Sequence, residues 1–376
     1  MKIKLSGLLL ILFVLIACKE PFKPEIELSG KRLLVVEGYI NIGGITTIKL
    51  SRTQDLQTKA AVLPEANAQI VVEGPDGFKV QGTTNSSGVC QLATQSLSIA
   101  KKYRLQIVGA NKKVYKTQFL EPVPTPPIDS INFKIENEGF QIYANTHATI
   151  NDTRYYMWDF DETWEVRSAY PSYYEFKDYS INERDPNINI SRCWVNASST
   201  QILLGSTERL SENRLTLAPL TYIKGNAVRV SEQYSILVRQ YGVNKQAYQY
   251  FENMKKNTEK IGTIFDPQPS ELKGNIICES DPSEEVIGWI SAGTITQKRF
   301  FISKADKPAG RAWKYDQGCD RFWSTPDSVR VWSSAGYLII SQESDAQGRT
   351  GFSMSFATCV DCRTRGSNIK PSYWPN

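Results

Sequence analysis

The sequence predicts a mainly β protein, with an N-terminal β-sandwich followed by a larger β-rich domain that includes one amphipathic helix. Three observations support this reading. Short apolar runs with alternating character recur along the chain and are broken by Gly, Pro, Asn and Asp. A proline-rich stretch between Glu121 and Asp129 divides the chain. Only one segment, residues 244–260, repeats apolar residues at helical spacing over several turns.

The first element is a targeting segment. Lys2 and Lys4 precede an apolar run from Leu8 to Ala17 that ends at Cys18. That run is short of the ~20 residues a membrane span requires, so residues 1–17 read as a secretory signal peptide. Ala17 before Cys18 resembles the lipobox of bacterial lipoproteins, in which the thiol is acylated and becomes the mature N-terminus. Cys18 is thus the expected lipidation site, and the alternative is an ordinary signal cleaved near Ala17. Two or three acyl chains, at ~0.8 kcal/mol per buried methylene, anchor a protein stably. Lys19, Glu20, Pro21, Lys23 and Pro24 make residues 18–30 a solvated tether.

Residues 31–123 read as the sandwich. "LLVVEGYI" stops at Gly43-Gly44, and "TTIKLSRT" and "AQIVVEG" follow. Pro75-Asp76-Gly77 turns the chain into "FKVQGTT", and Asn85 to Gly88 turns it into "VCQLAT", ahead of "KYRLQIVG" and "VYKTQFLEPV". About seven short strands in so short a span fit an immunoglobulin-like or carboxypeptidase-regulatory-like module. Pro122, Pro124, Pro126 and Pro127 cannot donate to a ladder and so mark a linker.

Residues 124–376 read as the second domain. A hairpin is expected across Asn137 to Gly139 and another strand pair in "NAVRVSEQYSILVRQYGV". Asn244 is positioned to cap a helix whose Ala247, Tyr250, Phe251 and Met254 face the core. Lys255, Lys256 and Lys260 are expected outward.

The 376 residues hold 44 Lys and Arg against 39 Asp and Glu, a net charge of +5. Charges are interspersed and no basic block exists, which argues against nucleic acid as a partner. Besides Cys18 there are Cys90, Cys193, Cys278, Cys319, Cys359 and Cys362, an even number that suggests disulfides in an exported chain. Cys359 and Cys362 have metal-like spacing. With His147 as the sole histidine, a disulfide is preferred, Cys319 being the expected partner of one of them. No metal site and no cofactor is expected.

The sequence has no nucleophile elbow, no H-E-x-x-H and no phosphate-binding loop. His147 reads as a surface imidazole. Asp159, Asp161, Glu162 and Glu165 are the one cluster with a possible catalytic use; in a strand Asp159 and Asp161 share a face and Glu162 opposes them. The cluster lacks the spacing of a calcium loop, and no catalytic residue is expected. Ten aromatic residues lie between Tyr155 and Tyr179, in a chain that averages 11% aromatic. Trp158, Trp164, Tyr170, Tyr173 and Tyr174 are the candidates for a binding surface, with core packing as the competing role.

"CKEPFKPEIE", "LVVEGYI", "TIKLSRT", "PTPPIDSINF", "YYMWDFDETWE", Cys193-Trp194, the stretch from "QYSILVRQYGV" through "FDPQPSELKGNI", and the ending "CVDCRTRGSNIKPSYW" together resemble a lipoprotein family of Bacteroidetes, domain-of-unknown-function family 4249. The resemblance spans nearly the whole mature chain and brings no catalytic or binding residues with it. It implies an outer-membrane, lipid-anchored and surface-exposed protein that accompanies a TonB-dependent receptor. The expected function is then non-enzymatic, capping the receptor or delivering ligand to it. A stand-alone glycan- or peptide-binding lipoprotein is the alternative.

Overall fold

The computed structural model describes residues 32–54, 62–149, 153–259 and 272–375. The signal peptide, Cys18, the tether and Lys260 lie outside the described residues. The chain is mainly β, as expected, and its sheets build two sandwiches and a smaller C-terminal sheet with a helix packed on it.

In the first sandwich, strands Leu34–Asn41 and Ile45–Arg52 pair antiparallel around the Gly43-Gly44 turn. Alternation sends Leu34, Val36, Ile48 and Leu50 inward. They meet Ile70, Val72, Leu105, Ile107 and Tyr115 from an opposing five-stranded sheet. The turns at Pro75–Gly77 and Asn85–Gly88 lie where the sequence puts them, the latter held by the Asn85 side chain, which accepts from the Ser87 and Val89 amides.

The expected division at residue 123 does not contain this sandwich. The chain comes back at Ile276 to complete it. Ile276–Cys278 pairs with Val114–Thr117 in one sheet, and Val286–Ile287 and Ser291–Gly293 pair in parallel with Leu34–Asn41 in the other. Gly288 and Gly293 permit the approach, since a Cβ at either would collide with the Val36 or Val123 carbonyl. Asn275 bonds the Ile290 amide and carbonyl through its side chain, at 2.9 and 2.7 Å. Lys113 reaches Glu284 at 2.5 Å, and Arg52 joins Glu65 at 2.9 Å.

The second sandwich packs the three strands Ile128–Glu136, Gly139–His147 and Arg214–Lys224 against a five-stranded sheet centred on Tyr155–Arg167 and Gln233–Val243. The hairpin at Asn137 and Glu138 is present, both residues taking positive φ of 47° and 57° as its tight turn requires. The proline segment is not a free linker. Its residues have few N–H groups to give, but their carbonyls accept: Pro124 O from Thr153 Oγ1 (2.6 Å), Pro126 O from Gln240 Nε2 (2.8 Å) and Pro127 O from Thr146 Oγ1 (2.9 Å). These bonds stitch the segment to the second sandwich, and the Val123 amide, on the Ala292 carbonyl at 2.8 Å, ties it to the first.

The helix spans Lys245–Glu259, capped by Asn244 Oδ1 on the Ala247 amide at 2.8 Å. It packs at the junction of the two sandwiches, where Tyr39, Tyr241, Val243 and Ala247 form a small core and Tyr250 lies 5.5 Å from Trp289. Lys256 is exposed, but Lys255 is half-buried and donates to the Ile202 carbonyl at 2.9 Å.

The C-terminal sheet has the order Phe322–Ser324, Thr350–Phe356, Tyr337–Ser344, with helix Pro326–Ser334 against it. A hairpin from the second domain, Tyr174–Lys177 with Ser180–Glu183, covers its core of Val329, Ile339, Phe352 and Met354. Two disulfides bind this region. Cys319 pairs with Cys359, one of the two cysteines it was open to join. Cys362 pairs with Cys193, on a strand of the second sandwich 169 residues earlier. Cys90 and Cys278 are buried thiols.

Candidate binding cleft

The four carboxylates lie on the Tyr155–Arg167 strand with the predicted facing. Asp159 and Asp161 share the outer face and hold one guanidinium between them, each 2.5 Å from Arg239. That bond, working against burial, keeps the Asp161 carboxyl below its usual range. Glu162 turns the other way, is buried, and accepts from Arg229 at 2.9 Å and from the Tyr234 hydroxyl at 2.6 Å. Burial and that carboxylate push the Tyr234 hydroxyl far up. Burial alone would raise Glu165; bonds from Arg192 (2.8 Å) and Arg167 (2.9 Å) overcome it and hold the carboxyl low. Each acid therefore has an arginine of its own or a shared one.

His147 is half-buried, with Nδ1 2.7 Å from Asp129 Oδ2. Among the described residues no hydroxyl or thiol is bonded to its other nitrogen, and no three His, Cys, Asp or Glu side chains converge as a metal set. No helix among the described residues is long and apolar enough to cross a membrane.

The five aromatic candidates do not form one surface. Trp158 is corrected to core: it is 2% exposed, stacked beside Tyr156, and its indole N–H donates to Gln240 at 2.8 Å. Alternation sent it inward, and Gln240 satisfies its one donor. Trp164 is half-buried between the second core and the Cys193–Cys362 pair. Tyr170 packs by the other disulfide, its hydroxyl on the Cys319 carbonyl at 2.8 Å. Tyr173, 60% exposed, and Tyr174 do reach an open surface.

That surface is a cleft of about 980 Å³ between the segment Pro171–Tyr174, the run from Glu183 to Ser191, and the Ser341–Ser344 end of the sheet edge. Its far wall is built locally. Asp185 Oδ1 accepts from the Asn187 amide at 2.9 Å, and Asn189 Oδ1 from the amides of Ser191 and Arg192 at 3.0 and 3.1 Å. These Asx turns stiffen a stretch without regular structure. Arg184 ties it to the hairpin through Glu175 (3.1 Å) and the Tyr173 carbonyl (2.8 Å from its amide). Sequence reasoning missed Glu183, Arg184, Asp185 and Ser341–Ser344. The one local signal was the run "INERDPNINI", too polar and turn-rich for core.

Among solved structures the chain is similar to the FN1–FN3 domains of chicken CNTN1, at 12% identity over 56% of this chain and 62% of that one, with a TM-score of 0.19. None of the curated proteins matches it. Over residues 19–299 it matches a family described as Domain of unknown function (DUF4249), and the chain belongs to that family.

Proposed function

We propose that this chain is a non-enzymatic Bacteroidetes lipoprotein, anchored to the outer membrane through Cys18 and displayed at the cell surface. There it serves as accessory to a TonB-dependent receptor in nutrient uptake, capping it or delivering ligand. One observation supports a binding role over a catalytic one: all four clustered carboxylates are engaged by arginines, while a broad polar cleft with an exposed tyrosine stays open. The test is isolation of the native chain from gently solubilised outer membranes, with mass spectrometry of what accompanies it. A stoichiometric receptor is the expected result, and a partnerless chain removes the accessory role.

The cleft at Tyr173 and Tyr174 favours a second reading, a stand-alone surface lipoprotein that binds glycan or peptide. Binding of oligosaccharides or peptides by the isolated chain, lost in Tyr173→Ala, is its expected signature.

A further inference from the structure

The strand Tyr337–Ser344 ends its sheet and is paired on one side only, with Thr350–Phe356. The Asp345 amide bonds inward to the Arg349 carbonyl at 3.0 Å. Antiparallel ladders alternate, so Glu343 and Ser341 also turn inward, and Gln342 and Ser344 turn their N–H and C=O out. Farther along, the outward edge is closed. The Ile340 carbonyl accepts from the Tyr173 amide at 2.9 Å, and the Ile339 carbonyl from Ser172 Oγ at 2.6 Å, where the chain crosses the edge. A bulge between Ile339 and Ser341 accompanies that crossing.

Past the crossing the edge opens into the cleft. Among the described residues no protein group bonds to the outward main chain of Gln342 or Ser344. A free edge is a template for another strand, and folded proteins usually cover it. Here the covering stops halfway and a cleft begins.

The opposite wall states the chemistry of the occupant. Glu183 and Asp185 are exposed and have no cationic partner among the described residues, whereas Arg184 between them is committed to Glu175. Glu343 is already paired with Arg321. The free charge facing the edge is negative. Tyr173 and Ile188, 60% and 47% exposed, supply apolar contact for alternate side chains.

We propose that the Gln342–Ser344 edge receives an extended polypeptide segment bearing lysine or arginine, added to the sheet as a further strand. This rests on the reading of the chain as a binding protein and names the class of its ligand. The strand's main chain would give affinity, and Glu183 and Asp185 would select the basic residue.

The test uses the full chain and a phage-displayed pool of randomised heptapeptides, with the best peptide then measured by fluorescence anisotropy. Selected peptides should be rich in Lys, Arg and β-branched residues. Methylation of alternate backbone nitrogens, which removes donors and leaves side chains intact, should weaken binding about tenfold, the worth of roughly one hydrogen bond. Glu183→Gln with Asp185→Asn, which keeps the Asx turn, should weaken it about threefold to tenfold with unchanged melting. Ser344→Pro, which removes an outward donor the sheet does not use, should also weaken it. Failure to enrich any peptide, or binding indifferent to both N-methylation and the charge variants, overturns the proposal. Oligosaccharide binding in the same cleft, or an accompanying receptor, together with that failure would overturn the peptide class and leave the binding role standing.

Discussion

The first sandwich and the C-terminal sheet reach stability by different routes. The sandwich closes over a continuous core in which Leu34, Ile40, Ile48, Leu50, Ile70 and Ile107 are fully buried, and its two cysteines, Cys90 and Cys278, sit inside as thiols. Burial pushes the Cys90 thiol up, which keeps it inert. The C-terminal sheet has a core of Val329, Ile339, Phe352 and Met354, and both disulfides bound it. Cross-links stand where the apolar core is small, and thiols remain where it is large. Small cores bury too little surface to offset chain entropy, and closing a loop covalently lowers the entropy of the unfolded chain instead.

That contrast can be broken most strongly at the disulfides. Replacing Cys319 and Cys359 by serine should cost about 4 kcal/mol, the chain-entropy value for a loop of some 40 residues. Hydrogen exchange should then accelerate in Tyr337–Ser344 and Thr350–Phe356 while Leu34–Asn41 keeps its protection. Uniform loss across the molecule would mean the regions are one cooperative unit.

The opposite break is Ile107→Ala, which should cost about 3 kcal/mol through a cavity in the sandwich core and spare the C-terminal sheet. Denaturant unfolding followed by exchange distinguishes the two. Glu162→Ala should cost about 2 kcal/mol in the second sandwich, because it strands the Tyr234 hydroxyl and the Arg229 guanidinium. Thermal melting measures it, with Glu162→Gln falling between.

Acid should act on both sandwiches and on the C-terminal region, where Asp345 and Asp361 are lowered too. Bonding from Arg52 lowers Glu65, and Lys113 and Tyr115 hold Glu284 low against burial; Asp161 and Glu165 are lowered as well. Carboxyls depressed in the folded state contribute stability that is present above their unfolded values, near pH 4, and lost as pH falls through the folded ones. Melting temperature should therefore be flat from neutral pH to about 5 and fall below about 4. The smallest effect is chemical. Alkylation should spare Cys90 and Cys278 in the native chain and modify them on denaturation without reductant, while Cys193, Cys319, Cys359 and Cys362 stay blocked, as peptide mass mapping would report.

Local physics made much of this legible. The Asn137 turn, the Asn244 cap and the opposed faces of Asp161 and Glu162 follow from turn geometry, helix capping and the two-residue period of a strand, each set within a few residues. The same period says that half of the strand's aromatic residues point inward, but not which half meets a second sheet. Trp158 met one and became core; Tyr173, past the strand where the chain crosses the edge of the C-terminal sheet, keeps its ring in the cleft. The pairing of Cys362 with Cys193 over Cys319 likewise depends on which strand lies beside it.

What the sequence determined by itself is the mainly β class, the turns and the Lys245–Glu259 helix, though not the second helix at Pro326–Ser334, because those depend on backbone preferences and on spacing within one element. Only the tertiary structure decided the return of residues 276–293 into the first sandwich, the partner of Cys362, and a cleft assembled from Pro171–Tyr174, Glu183–Ser191 and Ser341–Ser344. Each joins segments far apart in the chain, and the contacts that repay their loop-closure entropy exist only once the sheets have packed.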